Sequence, residues 1–180
     1  MTRVLIAYYS RTGTAKRVAD QLQQMTQWPL LELQDVQARA GFFGDLRCMS
    51  ESLLFRTPAY EASGPDTSEF DHLVVISPIW MGQLASPVRS FLYDVFGPRK
   101  TPAIKRVSLV CVMGLQGGFN AAAEISRIIG RPPLPVLALR QTDVLNGSSV
   151  SDLYGLREAI RGMEREPDAM RPNWLSPEAS

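Results

Sequence analysis

Three short stretches carry residue types and spacings that could do chemistry. The first reads Ser10-Arg11-Thr12-Gly13-Thr14-Ala15-Lys16. Ser10, Thr12 and Thr14 bring hydroxyls, Gly13 lets the backbone approach a ligand closely, and helical spacing begins at Ala15. A helix start presents free N–H groups and the positive end of its dipole, so such a turn suits an anion, above all a phosphate. An ordinary capped helix start uses the same residues. The G-x-x-x-x-G-K-[ST] spacing of a nucleotide P-loop is absent, and so is the dinucleotide G-x-G-x-x-G. The second stretch reads Ser77-Pro78-Ile79-Trp80-Met81-Gly82-Gln83. It follows an apolar run, and a tryptophan beside a glycine there offers a flat face to an aromatic ligand; a core role for Trp80 is the alternative. The third reads Met113-Gly114-Leu115-Gln116-Gly117-Gly118-Phe119. Its glycines expose backbone N–H and C=O groups that can hydrogen-bond a heterocycle, or simply make a tight loop.

These stretches need elements to hold them. Short β-branched runs occur at 3–9, 30–36, 72–76, 107–113 and 136–139. Between them, apolar residues recur at three- and four-residue steps: Ala15, Val18, Ala19, Leu22 and Met25; Val88, Phe91, Leu92, Val95 and Phe96; Ala121, Ile125, Ile128 and Ile129; Leu153, Leu156, Ile160 and Met163. Strands alternating with amphipathic helices predict a parallel sheet covered on both faces. Gly130 with Pro132 and Pro133 predicts the end of the third helix, and Ser149 with Asp152 the start of the fourth. Proline cannot donate to a ladder and so marks edges. Pro29 and Pro135 therefore put the second and fifth strands at the edges, giving the order 2-1-3-4-5. In such a sheet ligands bind beyond the carboxyl ends of the strands, where all three stretches fall.

The stretch 41–69 is long for a connection. Phe42, Phe43, Leu46, Met49, Leu53, Leu54 and Phe55 give it an apolar stripe. It reads first as a crossover helix on the sheet, and otherwise as a lid over the site or the contact of a homodimer. The last stretch, 164–180, with Pro167, Pro172 and Pro177, predicts an irregular tail, leaving one domain over 1–163.

Composition narrows the class. With 180 residues, 45% of them hydrophobic, the chain can build one ordinary core. Nineteen basic against eighteen acidic residues leave a net charge of +1, which recruits neither nucleic acid nor an acidic membrane surface. No apolar run approaches the ~20 residues of a membrane span. One histidine and two cysteines provide neither a metal cluster nor a disulfide framework, so a cytoplasmic protein is expected. A C-x5-R phosphatase is excluded, since Leu54 and Gly117 stand six residues after Cys48 and Cys111. A phospho-receiver would need aspartates where Tyr9 and Ser77 stand. Asp71 and His72 belong to the opposite end of the sheet and are expected to be solvated. Cys111 is expected in the core. Of Tyr8 and Tyr9, alternation lets only one face the site.

Together the three stretches resemble the flavodoxin family. Ser10 to Ala15 is similar to its phosphate loop, S/T-x-T-G-x-T, while Pro78 to Gly82 and Met113 to Phe119 are similar to its two flavin loops. The likeness covers about 3–161. It implies a flavodoxin-like three-layer sandwich around a five-stranded parallel sheet, with one non-covalent FMN per subunit. The implied FMN contacts are Ser10, Arg11, Thr12, Gly13, Thr14, Ala15, Pro78, Ile79, Trp80, Met81, Gly82, Met113, Gly114, Gln116, Gly117, Gly118 and Phe119. Two positions depart from the pattern: Ala15 replaces its last threonine, and Thr14 replaces the asparagine before it.

The expected function is that of an FMN flavoprotein oxidoreductase. It would pass electrons from NADH or NADPH to a quinone-like or other small acceptor, with the flavin rather than a side chain carrying the chemistry. An electron carrier between redox-protein partners is the alternative. A binding module that has lost its flavin is a third reading, favoured only by Ala15.

Overall fold

Parallel strands need long crossovers, and the spacing of the apolar runs supplies them. The computed structural model describes residues 2–36, 59–80, 82–98, 100–114 and 118–165. Along these, β1 (Val4–Tyr9), α1 (Thr14–Thr26) and β2 (Leu30–Asp35) are followed by β3 (Tyr60–Ser63), a 3-10 turn at Thr67–Glu69 and β4 (His72–Trp80). Then come β5 (Gln83–Leu84), α2 (Ser86–Phe96), β6 (Arg106–Met113), α3 (Gly118–Ile129), β7 (Val136–Arg140), α4 (Gln141–Asn146) and α5 (Val150–Arg165).

Five strands run parallel in the order β2-β1-β4-β6-β7, the order the prolines predict. The sheet is nevertheless mixed and seven-stranded, which corrects the expectation of five strands. β3 pairs antiparallel with β2, and β5 pairs antiparallel with the end of β4. β3 is legible only in structure, because Tyr60, Glu61, Ala62 and Ser63 form an edge with little apolar content to mark it. The expected helical stripe of Phe42 to Phe55 lies outside the described residues. Within the predicted 41–69 crossover, what is described is this edge strand and the 3-10 turn.

Alternation along the buried strands divides the core in two. Val4, Ile6, Tyr8, Val74, Ile76 and Val110 face α1, α4 and α5; Leu5, Ala7, Tyr9, Leu73, Val75 and Leu109 face α2 and α3. Helix α1 shows the cause at residue level. Val18, Ala19 and Leu22 fall on one face and are fully buried, while Lys16, Arg17 and Gln24 point to solvent. Burying Leu22 alone is worth roughly 1.5–3 kcal/mol. The helix ends because Pro29 disfavours helical backbone at Trp28, and Gln27 closes it in the left-handed region (φ 61°). Helix α5 continues through Arg165, so Glu164 and Arg165 belong to it rather than to a tail. The rest of the predicted tail, Trp174 included, lies outside the described residues.

Candidate functional site

All five parallel strands point the same way, so their carboxyl ends share one edge. The strands are staggered there. Tyr8 is level with Ile76 and β1 ends one residue later at Tyr9, which leaves Pro78, Ile79 and Trp80 of β4 projecting beyond β1, and Ile79 is level with Met113 at the end of β6. The three stretches singled out in the sequence thus leave the sheet at the same edge.

The first turn has the features that suit an anion. Gly13 is the N-cap of α1, at φ 84°, and among the described residues no side-chain hydrogen bond caps the helix. The amides of the first turn therefore keep outward-facing hydrogens. A Cβ at Gly13 would meet nothing within 4 Å, so the space before the helix is open. The Ser10 hydroxyl is buried and has no hydrogen-bond partner among the described residues. The Thr12 and Thr14 hydroxyls lie 3.4 Å apart. Ala15, at 2% exposure, packs into the core under α1, so it offers the turn a backbone N–H and not a side chain. Arg11 is half-buried on the same turn.

Beneath the turn, Lys16 Nζ donates to Tyr8 Oη at 3.1 Å, lies 5.4 Å from the centre of the Tyr8 ring, and stands 3.8 Å from Asp20. Burial raises the Tyr8 phenol above its ordinary pKa, with Glu32 adding to the effect and Lys16 opposing it. The hydrogen bond to Tyr8 in turn holds the Lys16 ammonium above its usual range. A lysine fixed in the first turn of a helix adds positive charge where the amides already favour an anion. Lys16 belongs to the first stretch of the sequence, and its tie to Tyr8, eight residues earlier on β1, is visible only in the structure.

The second stretch is a hairpin rather than a loop. Pro78, Ile79 and Trp80 belong to β4, and Trp80 pairs with Gln83 across a turn in which Gly82 takes φ 80°. Proline is tolerated inside this strand because β4 has outrun β1, leaving a local edge. Trp80 is half-buried against the core, and its ring meets Tyr9 edge to face with centroids 6.1 Å apart. It is thus neither wholly a rim plate nor a core side chain. Gln83 carries a buried Oε1 without a partner among the described residues, a second orphaned acceptor at this edge. Met81 lies outside the described residues.

Of the third stretch, Met113 is half-buried at the end of β6, Gly114 is exposed with open space around it, and Gly118 opens α3 with Phe119 following. Gln116 and Gly117 lie outside the described residues.

Elsewhere, His72 corrects the expectation that it is solvated. It is fully buried, and Nε2 lies 2.7 Å from Ser108 Oγ. Because Ser108 donates its own hydrogen to the Leu134 carbonyl at 3.0 Å, His72 donates through Nε2 and is the neutral tautomer. Burial, with a smaller contribution from Arg106, lowers its pKa to about 4. Asp71 is partly exposed and accepts from the Arg3 amide at 3.1 Å. Cys111 is buried, and burial pushes its thiol up to about 12. A cleft of about 550 Å³ opens at the other end of the sheet, between β3, α2 and the approach to β6, among Tyr60, Phe91, Asp94, Lys100 and Ile104.

The residues at the carboxyl edge fit a ligand with an anionic end and a flat polar end. The orphaned Ser10 hydroxyl and the uncapped α1 terminus suit the first, and Trp80 with the adjoining hairpin suits the second.

No protein-family model and no curated protein matches the sequence. Among solved structures, a flavoprotein in complex with FMN from Lactobacillus acidophilus NCFM superposes with a TM-score of 0.64 at 18% identity, covering 86% of this chain and 99% of that one. A flavodoxin, WrbA-like protein from Agrobacterium tumefaciens gives 0.54 at 13% identity, covering 91% and 99%. An NAD(P)H:quinone oxidoreductase from Methanothermobacter marburgensis gives 0.50 at 12% identity, covering 95% and 98%. With its β2-β1-β4-β6-β7 parallel core, the chain has the flavodoxin-like fold.

Proposed function

We propose that the protein is an FMN-dependent oxidoreductase that takes electrons from NADH or NADPH and delivers them to a quinone-like or other small acceptor. The observation that carries this reading is the buried Ser10 hydroxyl, without a partner among the described residues, next to the Gly13-led terminus of α1. Ser10, Thr12 and Thr14 with the first-turn amides would hold the phosphate. Each hydrogen bond to a charged group is worth about 1.5–3 kcal/mol. Lys16 and Arg11 add positive charge nearby. Pro78, Ile79, Trp80, Met81 and Gly82 would hold one side of the ring system, and Met113, Gly114, Gln116, Gly117, Gly118 and Phe119 the other. FMN bound there supplies the redox chemistry. The protein's own part is to bind, orient and keep water from the ring.

The structural likeness to an FMN complex and to an NAD(P)H:quinone oxidoreductase supports the reading. The net charge of +1 counts against a carrier that finds protein partners by electrostatic steering. Among the described residues no helix is long and apolar enough to cross a membrane, which suits a small acceptor reached from water and a cytoplasmic location.

The test is anaerobic mixing of FMN-loaded protein with NADH and with NADPH. Bleaching of the flavin absorbance well above the rate of free FMN supports the reductase. Bound FMN that bleaches no faster than free FMN with either nicotinamide contradicts it.

A further inference from the structure

Arg89 of α2 and Glu124 of α3 form an ion pair at 1% and 5% exposure, Nε against Oε1. A buried pair of this kind is weak evidence for stability, since desolvation offsets the attraction and apolar replacements are often neutral. Its partners suggest another use. Opposed residues of an antiparallel ladder alternate between hydrogen-bonded and non-bonded pairs. Beside the Trp80–Gln83 pair at the turn, Leu84 therefore directs its N–H and C=O away from β4. Leu84 is fully buried, so both groups need partners. The Leu84 N–H donates to Glu124 Oε2 at 3.2 Å, and Arg89 Nη2 donates to the Leu84 carbonyl at 3.4 Å. The next amide, Ala85, donates to Ser77 Oγ at 3.3 Å.

We propose that Arg89 and Glu124 are positioning residues, a clamp that grips Leu84 by both main-chain groups and so fixes the Trp80–Gln83 hairpin over the flavin site. The clamp also ties this hairpin to α3, whose first two residues, Gly118 and Phe119, end the third stretch. It rests on the FMN reading only in what the hairpin is positioned for. Neither residue belongs to the three stretches proposed to hold the ligand. Their role is exerted through Trp80 and Gln83, so their loss should loosen the ring end of the site and leave the phosphate turn on α1 untouched.

The experiment compares the natural chain with two double variants, Arg89→Met/Glu124→Leu and Arg89→Met/Glu124→Gln. Both remove the buried charges. Only the second keeps an acceptor for the Leu84 N–H. Amide hydrogen exchange is read at Leu84 without FMN, and FMN and riboflavin are then titrated. In the Leu variant, Leu84 should exchange at least about ten-fold faster and both flavins should bind about ten-fold more weakly. The ratio of FMN to riboflavin affinity should stay as in the natural chain. The Gln variant should recover most of the protection and the affinity.

A folded Leu variant with unchanged Leu84 exchange and unchanged flavin affinity would overturn the clamp, as would a Gln variant no better than the Leu one. Should neither variant fold, the natural chain still decides. Leu84 exchange as slow as that of the central β4 amides supports the clamp, and exchange as fast as in an exposed turn overturns it. If the natural chain binds no FMN, the FMN reading falls, and Leu84 exchange still decides whether the pair holds the hairpin.

Discussion

Tyr9 and Trp80 meet edge to face, 6.1 Å between ring centres at 87°, and so join the end of β1 to the end of β4 where two of the three site stretches leave the sheet. The geometry is a favoured one for aromatic pairs, worth about 0.5–1.5 kcal/mol beyond area burial. Under the proposed FMN reading, Trp80 has two tasks at once. Trp80→Ala should lower stability by about 2 kcal/mol and weaken FMN binding by ~1–2 kcal/mol. Trp80→Phe, which keeps a ring against Tyr9, should recover most of both. Denaturant unfolding and FMN titration of the two variants check this. A loss of stability with FMN affinity unchanged would make Trp80 purely structural.

Gly13→Ala separates backbone conformation from packing. The new Cβ meets no atom, so the cost is that of a left-handed alanine, about 1–2 kcal/mol. The methyl group would stand in the open space before α1, so FMN affinity should fall further than riboflavin affinity. Thermal unfolding and paired titrations measure the two effects. Equal losses for both flavins would remove the anion from this turn.

His72 should make stability depend on pH. Its folded pKa of about 4 lies below the ordinary value near 6.5, so the unfolded chain binds more protons between those limits. Stability from keeping the ring neutral is complete above about pH 6.5 and is lost as pH falls toward 4, by roughly 3 kcal/mol in all. His72→Gln should flatten the urea midpoint across that window relative to the natural chain. The same slope in both proteins would show that other groups are responsible.

Breaking the buried ion pair on one side should be far worse than replacing both partners. Glu124→Leu alone leaves the Arg89 cation buried without its carboxylate and should cost about 3–5 kcal/mol. The double replacement with Arg89→Met should restore most of that loss. A single variant as stable as the double would mean that Arg89 finds solvent or another acceptor.

Much of this was legible from the chain. Runs buried on both faces stand out as continuous apolar segments, and Pro29 and Pro135 bracket the parallel part of the sheet. What escaped did so for local reasons. β3 has no hydrophobic run to betray it. β4 runs on through Pro78 to Trp80 because it outreaches β1, a register relation that no single stretch contains. His72 looked solvated because its partner, Ser108, lies on the neighbouring strand. Arg89 and Glu124 stand 35 positions apart on two helices, so nothing in either local stretch marks them as a pair before α2 and α3 pack together. The hydroxyl-rich turn was visible in sequence, but the orphaned Ser10 hydroxyl was not. Nor was the side-chain direction of Ala15, set by the core beneath α1.

The central claim, that the turn before α1 holds the phosphate of FMN, is tested most directly by titrating FMN and riboflavin into the natural chain and into Ser10→Ala. The natural chain should prefer FMN by at least about ten-fold, and Ser10→Ala should erode that preference by about 1.5–3 kcal/mol, the scale of one hydrogen bond to a charged group, while leaving riboflavin binding nearly unchanged. Equal affinity of the natural chain for the two flavins, or a preference for FMN that Ser10→Ala leaves intact, would contradict it.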